Sequence, residues 1–529
     1  MKKLLSFILC LSLFMACGVP SFADEKPIEY VFGDYKYIIR EDGTAEIIDY
    51  LGEDNDLSIP SELDGKKVTS IGDSAFYWYF ALTSVSIPDS VTSIGDSAFY
   101  WCTNMLSISI PDSVTFIGNE AFRMCGLTSI SLPDSLVTIG NEAFADCVNL
   151  SSITLPHGLT YIGNDVFSNC TTLTSITLPD SLTVIGRNPF AGCSSLTEII
   201  VSQDHQHLAT INGVLFNKPD KRLIWYPIAS TAEEYQVPQG IRIIGDYAFS
   251  KCTNLTSVII PDSVESIGDY AFKECSLSSI TIPESVTAIG VNPFIDCHLL
   301  TEIKISPDHP YLATIDGVLF SKADKRLVCY PYVFLAKEYQ VPQGIKIIGD
   351  SAFFECPALE SIIIPESVTV IEREAFYRCI SLTTIMFPDS LKSIGDKAFD
   401  NCNRLTSLTI PDSVESIGEE AFKSCRNLES ATISNGVTSI KERTFAYCSN
   451  LISLTLPDNL TSIGSAAFYF CSSLTSAMIP DSVTEIGLKA FENCDNLTVT
   501  VGRDSFARQY CIDNGIEYTY ADINDWLND

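Results

Sequence analysis

Few residues in this chain have the types and spacing that chemistry requires. There are five histidines: His157, His205, His207, His298 and His309. His205-Gln206-His207 has the look of a ligand pair. A related segment reads His309-Pro310-Tyr311, so one of the two imidazoles is missing there. Zinc needs three or four donors, and no third donor can be named for either segment. The histidines gather in two short stretches, and no Ser-His-Asp set can be assembled from them. Phosphate loops and dinucleotide fingerprints are absent. The expectation is therefore no catalytic residues, no metal and no cofactor.

Cysteine is the more abundant candidate, with 19 in the chain. Fifteen of them follow an Ala-Phe or x-Phe pair at one repeated position. An exported chain normally turns cysteines into disulfides. Equivalent positions on neighbouring units of a wide layer lie too far apart to bridge. Buried free thiols acting as small apolar groups are expected instead. Cys329 and Cys511 fall outside the pattern and are expected to be exposed. A row of acids follows the marker prolines, among them Asp89, Asp112, Asp134, Asp180, Asp412 and Asp481. It lacks the glycine-containing oxygen loop of a calcium motif, so it reads as a solvated edge.

Aromatic side chains give the sharper lead. Tyr77-Trp78 and Tyr100-Trp101 occupy the same two slots in adjacent units, where most units carry Arg, Lys, Asp, Asn, Ser or Ala. Four such rings side by side are a candidate platform for protein or sugar; the alternative is packing beneath an N-terminal cap. Trp225, Tyr226, Tyr330 and Tyr332 form a second, weaker candidate.

The elements that position these residues come from one repeated unit. Leu82, Val85 and Ile87 alternate with Ser84 and Ser86, the pattern of a strand with one buried face. Pro88 ends the strand. Val91 and Ile94 return to the core. Gly95-Asp96 then opens a predicted helical turn, with Asp96 as its N-cap and Ala98, Phe99 and Cys102 on one face. The marker prolines recur at steps that are mostly 23 and sometimes 22 residues, from Pro60 through Pro480. One unit cannot bury its apolar face alone, so the units must stack.

The pattern Leu-x-x-Ile-x-Ile-Pro-x-Ser-Val-x-x-Ile-Gly-x-x-Ala-Phe-x-x-Cys resembles that of the BspA-type leucine-rich-repeat family, over about residues 57–500. The resemblance implies an α/β solenoid with a curved parallel sheet on its concave side and short helices on its convex side. It also implies a secreted or surface protein that adheres to host or neighbouring cells. The expected divisions are a signal peptide (1–23), an N-terminal β cap (24–56), the solenoid (57–500), and a C-terminal cap with an acidic tail (501–529). Two long units, at about 194–238 and 298–342, are duplicates offset by 104 residues: Leu208–Phe216 matches Leu312–Phe320. Each is expected to project a β-hairpin, either as a binding loop or as an irregularity that bends the stack.

Lys2-Lys3, the apolar run from Leu4 to Met15 and the Ser21-Phe22-Ala23 pattern read as a leader cleaved after Ala23. Lipidation at Cys17 is the lesser alternative. The net charge of −33 argues against nucleic acid as a partner. No other apolar run is long enough to span a membrane. The chain is read as a monomeric binding protein whose partner is an extracellular or surface protein. A glycan partner or a structural envelope role is the alternative.

Overall fold

A computed structural model describes residues 27–521. The expected leader, its cleavage after Ala23, the alternative lipid site Cys17 and the acidic tail Asp522–Asp529 lie outside the described residues.

The stack opens with three antiparallel strands, Glu29–Phe32, Tyr35–Ile39 and Ala45–Tyr50. The third pairs in parallel with Lys66–Ile71, the entry to the repeats. Each repeat then makes one coil with three hydrogen-bonded sides. In the coil beginning at Leu82, the first side is Ser84–Ser86, parallel to Asp56–Ser58 before it and Ser107–Ser109 after it. Val85 points into the core while the flanking serines face outward. A turn closed by the Val91 N–H on the Pro88 carbonyl (3.0 Å) leads to the second side, Ser93–Ile94, paired with Phe116–Ile117.

The third side corrects the expected helical turn. Among the described residues the α-helix is confined to Phe506–Asn514, capped by Ser505 and by left-handed Gly515. In the coils, two residues in nearly every turn segment have positive φ, such as Ser97 (53°) and Trp101 (65°), and a right-handed helix cannot run through them. Alternate amides instead reach across to the next coil. Ser97 donates to the Asn119 carbonyl (2.7 Å), Phe99 to Ala121 (2.8 Å) and Trp101 to Arg123 (2.9 Å). Asp96 is not an N-cap. Its carboxylate accepts the Asn119 N–H of the next coil at 2.7 Å, as Asp73 accepts the Asp96 N–H at 2.8 Å. This close approach explains Gly95, because a Cβ there would lie 2.6 Å from the Asp73 carboxylate.

Inside, the phenylalanines form a column. Phe76 and Phe99 stack at 4.9 Å with ring planes 3° apart, and the series continues through Phe122, Phe144, Phe167 and Phe190. It resumes at Phe249 and, after a second break, at Phe353.

The breaks are the duplicated long units. Leu208–Ile211, Val214–Asn217 and Arg222–Trp225 run antiparallel, and the last pairs in parallel with Ile243–Ile244. The same arrangement recurs in Leu312–Ile315, Val318–Ser321 and Arg326–Cys329. Their central and third strands do not project outward as expected. They cross the interior and are buried on both faces, as continuous apolar runs allow. Leu215, Ile224 and Trp225 pack against the N-terminal core, while Val214, Phe216, Leu223 and Tyr226 pack against the middle one. The second insert divides the middle core from the C-terminal core in the same way.

Candidate binding surface

The insert aromatics are accounted for by this partition. Trp225, Tyr226 and Tyr330 are buried and present no surface to a partner, which corrects their assignment as binding residues. Trp225 and Tyr226 carry the phenylalanine column across the first gap, and at the second, where Cys329 stands in the place of Trp225, Tyr330 abuts the column on its C-terminal side only. Trp225 sits edge-on at 5.8 Å from Phe190, Tyr226 lies 5.2 Å from Phe249, and Tyr330 lies 5.0 Å from Phe353. Tyr332 is half-buried against the His298 ring at 4.2 Å.

The paired histidine segments are structural as well. His205 is buried, and its Nδ1 accepts the His207 and Leu208 N–H groups, both at 3.1 Å. With Nδ1 accepting twice, the proton sits on Nε2, which faces the Pro179 carbonyl at 3.1 Å. Lys218 Nζ donates to the His205 carbonyl at 2.6 Å. His309 repeats the geometry with Tyr311, Leu312, Pro283 and Lys322. Among the described residues no group of three or more His, Cys, Asp or Glu side chains converges on a metal position.

All 17 cysteines of the described residues are free and buried, and these include Cys329 and Cys511, which sequence had placed outside. Most of the repeat thiols donate to the phenylalanine carbonyl of the preceding coil, as Cys102 does to Phe76 (3.2 Å) and Cys125 to Phe99 (3.1 Å). Burial pushes the Cys102 and Cys147 thiols up to about 12, so thiolate chemistry is suppressed.

What remains on the surface is the first aromatic cluster. Tyr77 and Trp78 are 46% and 50% exposed, and Tyr100 and Trp101 are half-buried. The coil-to-coil hydrogen bonds hold their backbones in register. Tyr77 is stacked on by Tyr100 (5.1 Å, 9°) and by Trp78 (5.7 Å, 18°), and Trp78 meets Trp101 edge-on at 4.9 Å. Phe80, 49% exposed, extends the patch, and the Arg123 guanidinium lies 5.7 Å from the Tyr100 ring. The packing beneath the cap falls to a neighbour, Tyr79, whose hydroxyl donates to the Gly52 carbonyl at 2.8 Å. Trp78 and Trp101 both occupy left-handed backbone, at φ 63° and 65°, in the slot where another coil has Gly192. Left-handed backbone favours glycine, so the backbone of this slot does not call for a bulky side chain.

Two exposed groups escaped the sequence reading. Tyr447, Tyr469 and Phe470 cluster in the same slots near the C-terminal end, with Tyr447 and Phe470 stacked at 5.7 Å. The Phe468-Tyr469-Phe470-Cys471 run was the available signal. On the outward serine- and threonine-rich sheet face, Ile363 and Met386 are neighbours across paired strands and largely exposed.

Comparison with known proteins bears on this architecture. The chain matches the BspA type leucine-rich repeat region, in six copies, over residues 69–197, 229–331, 327–449 and 369–498. This chain belongs to the BspA-type leucine-rich-repeat family. A leucine-rich cell surface protein of Faecalibacterium prausnitzii is similar to this BspA-type chain at 28% identity, covering 82% of it and 96% of the other, with a TM-score of 0.39. A leucine-rich repeat protein of Eubacterium ventriosum is 25% identical over 75% of this chain and 94% of the other (TM-score 0.41). One from Bacteroides ovatus is 26% identical over 93% and 100% (TM-score 0.35). Curated proteins offer no match. No helix among the described residues of this BspA-type protein is long and apolar enough to cross a membrane.

Proposed function

We propose that this BspA-type protein is an exported, surface-associated binding protein of the adhesin kind, which engages a protein partner through the Tyr77-Trp78-Tyr100-Trp101 patch. The observation that carries this reading is the exposed aromatic cluster, held on a rigid ladder at a slot that most coils fill with glycine or a polar residue. Tyr, Trp and Arg are the side chains that dominate protein interfaces, and Arg123 stands beside the rings. The rings spend their faces on one another, which suits a protein hot spot better than a flat sugar-stacking platform. Family membership and the leader-like segment Lys2–Ala23 support export. A binding role suits a surface without a built catalytic set.

The test is binding of the purified chain, alongside a Trp78→Ala/Trp101→Ala variant, to extracellular matrix proteins, mucins and a glycan panel. Saturable binding to a protein, weakened in the variant by about tenfold or more, is the expected result. Binding to glycans alone would move the assignment to carbohydrate recognition. Unchanged protein binding in the variant would place the site elsewhere.

A further inference from the structure

The internal duplication lets one half of the molecule interpret the other. Each insert leaves a cleft where its third strand meets the flanking coils. The first, about 230 Å³, is lined by Arg187, Asp220, Arg222 and Asp246, among others. The second, about 260 Å³, is lined by Val291, Asp324, Arg326 and Asp350 at the positions offset by 104. In many ordinary coils the amide after the glycine is held by an Asp or Asn of the preceding coil, as Asp73 holds the Asp96 N–H. The inserts break this series, because Ile224-Trp225 and Val328-Cys329 stand where most other coils have Gly-Asp or Gly-Asn.

In the second cleft the acceptor arrives from the opposite side. The Glu372 carboxylate accepts the Asp350 N–H at 3.0 Å and pairs with the Arg326 guanidinium. Arg326 also donates to Asp324 at 2.8 Å. Two donors on the wall of this cleft, the Arg326 guanidinium and the Asp350 N–H, are therefore already engaged by a carboxylate of the chain itself. In the first cleft, the position of Glu372 is Gly268. The Arg222 Nε is buried and makes no hydrogen bond among the described residues, and the Asp220 carboxylate lies 3.8 Å away. Arg187, where the second cleft has Val291, adds another guanidinium, 3.9 Å from Asp165.

We infer that the first cleft binds a carboxylate from an external ligand, held by the Arg222 guanidinium and the Asp246 N–H as Glu372 is held by Arg326 and Asp350. Arg187 stands at the rim and strengthens the attraction. Asp220 and Asp246 do not forbid an acid there, since Glu372 accepts the N–H of Asp350 and shares the Arg326 guanidinium with Asp324, their equivalents in the second cleft. This site is separate from the aromatic patch and does not depend on it.

Calorimetric titration of the full chain with N-acetylglutamate amide and, separately, with glucuronate tests the assignment and distinguishes a peptide acid from a sugar acid. One equivalent of at least one probe is expected to bind. Arg222→Gln is expected to weaken it by about tenfold or more. Glu372→Gly, which installs the glycine that most coils carry there, is expected to open the second cleft and raise the stoichiometry to two. If Arg222→Gln binds as tightly as the parent chain, or if neither probe binds the parent and Glu372→Gly chains, the inference is overturned. Matching circular dichroism melts establish that each variant is folded.

Discussion

A buried imidazole that accepts two backbone amides can do so only while neutral. His205 holds the entry to the first insert in this way, and burial lowers its pKa from the ordinary value of 6.5. The groups around it are mixed: Asp180 favours the charged ring, whereas His207 and Lys218 oppose it. The unfolded chain binds the proton at higher pH than the folded one. The stabilising contribution is thus fully present above about 6.5 and is lost as pH falls through the lower, folded-state value. Melting temperature should fall across that window. In His205→Asn, whose amide oxygen can accept the same N–H groups but does not titrate, the fall should be shallower. Equal slopes for the two proteins would show that His205 does not couple folding to pH. The histidine segments were visible in sequence as a 104-residue duplicate, but their role was not. A ligand and a backbone acceptor use the same nitrogen, and only the positions of the His207 and Leu208 amides separate the two.

At the scale of the element, the turn side and the inserts are where sequence and structure part. The repeat pattern fixed which residues are buried: Val85, Ile87, Val91, Ile94, Ala98, Phe99 and Cys102 all lie in the core. It did not reveal that Ser97 and Trp101 take left-handed backbone, because Ser, Trp, Glu and Lys carry no signal for it comparable to glycine. Without those two residues Ala98, Phe99 and Cys102 read equally well as a helical face. The insert strands were legible as strands. Their passage through the interior was not, since the run Val214-Leu215-Phe216 suits either a doubly buried strand or the stem of a projecting hairpin. The buried placement has a measurable consequence. Trp225 packs edge-on against Phe190, and truncation to alanine should open a cavity costing about 3–5 kcal/mol. Urea unfolding of Trp225→Ala measures this. A loss below about 1 kcal/mol, the scale of a surface change, would mean that the insert does not brace the core. The aromatic patch was the part of the candidate site most readable in advance, because two rare residues recurred in one slot of adjacent coils. Trp225, Tyr226 and Tyr330 were misread for want of one fact: the insert strands run through the core, where these rings abut the column of phenylalanines.

For the whole molecule, a repeat protein owes its stability to each coil and to the contact between neighbours, so cooperativity is weakest where that contact changes character. Here it changes twice. The core falls into three clusters, spanning Tyr37–Trp225, Val214–Cys329 and Val318–Cys511, and they interleave only along the insert strands. Within a cluster the phenylalanine rings stack nearly parallel, as do Phe399 and Phe422 at 5.2 Å and 4°, and three hydrogen-bonded sides join each coil to the next. At the first insert the stack turns edge-on at Trp225, 71° from the Phe190 plane, and the ladder through Ile185 gives way to a new one beginning at Arg222. Coupling across these seams should be weaker than coupling between ordinary coils, and the chain should open in blocks. Hydrogen exchange followed by mass spectrometry at rising urea resolves this, since peptides report their own opening free energies. Peptides within 37–206, 243–307 and 347–511 should each lose protection together, at urea concentrations that differ between blocks. The insert strands should follow the less stable neighbour, because each of their faces depends on a different block. Protection lost at one urea concentration along the whole chain would show instead that the inserts transmit cooperativity as well as the coils do. In that case the interleaving of Leu215 with Val214 and Phe216 would be a join and not a seam.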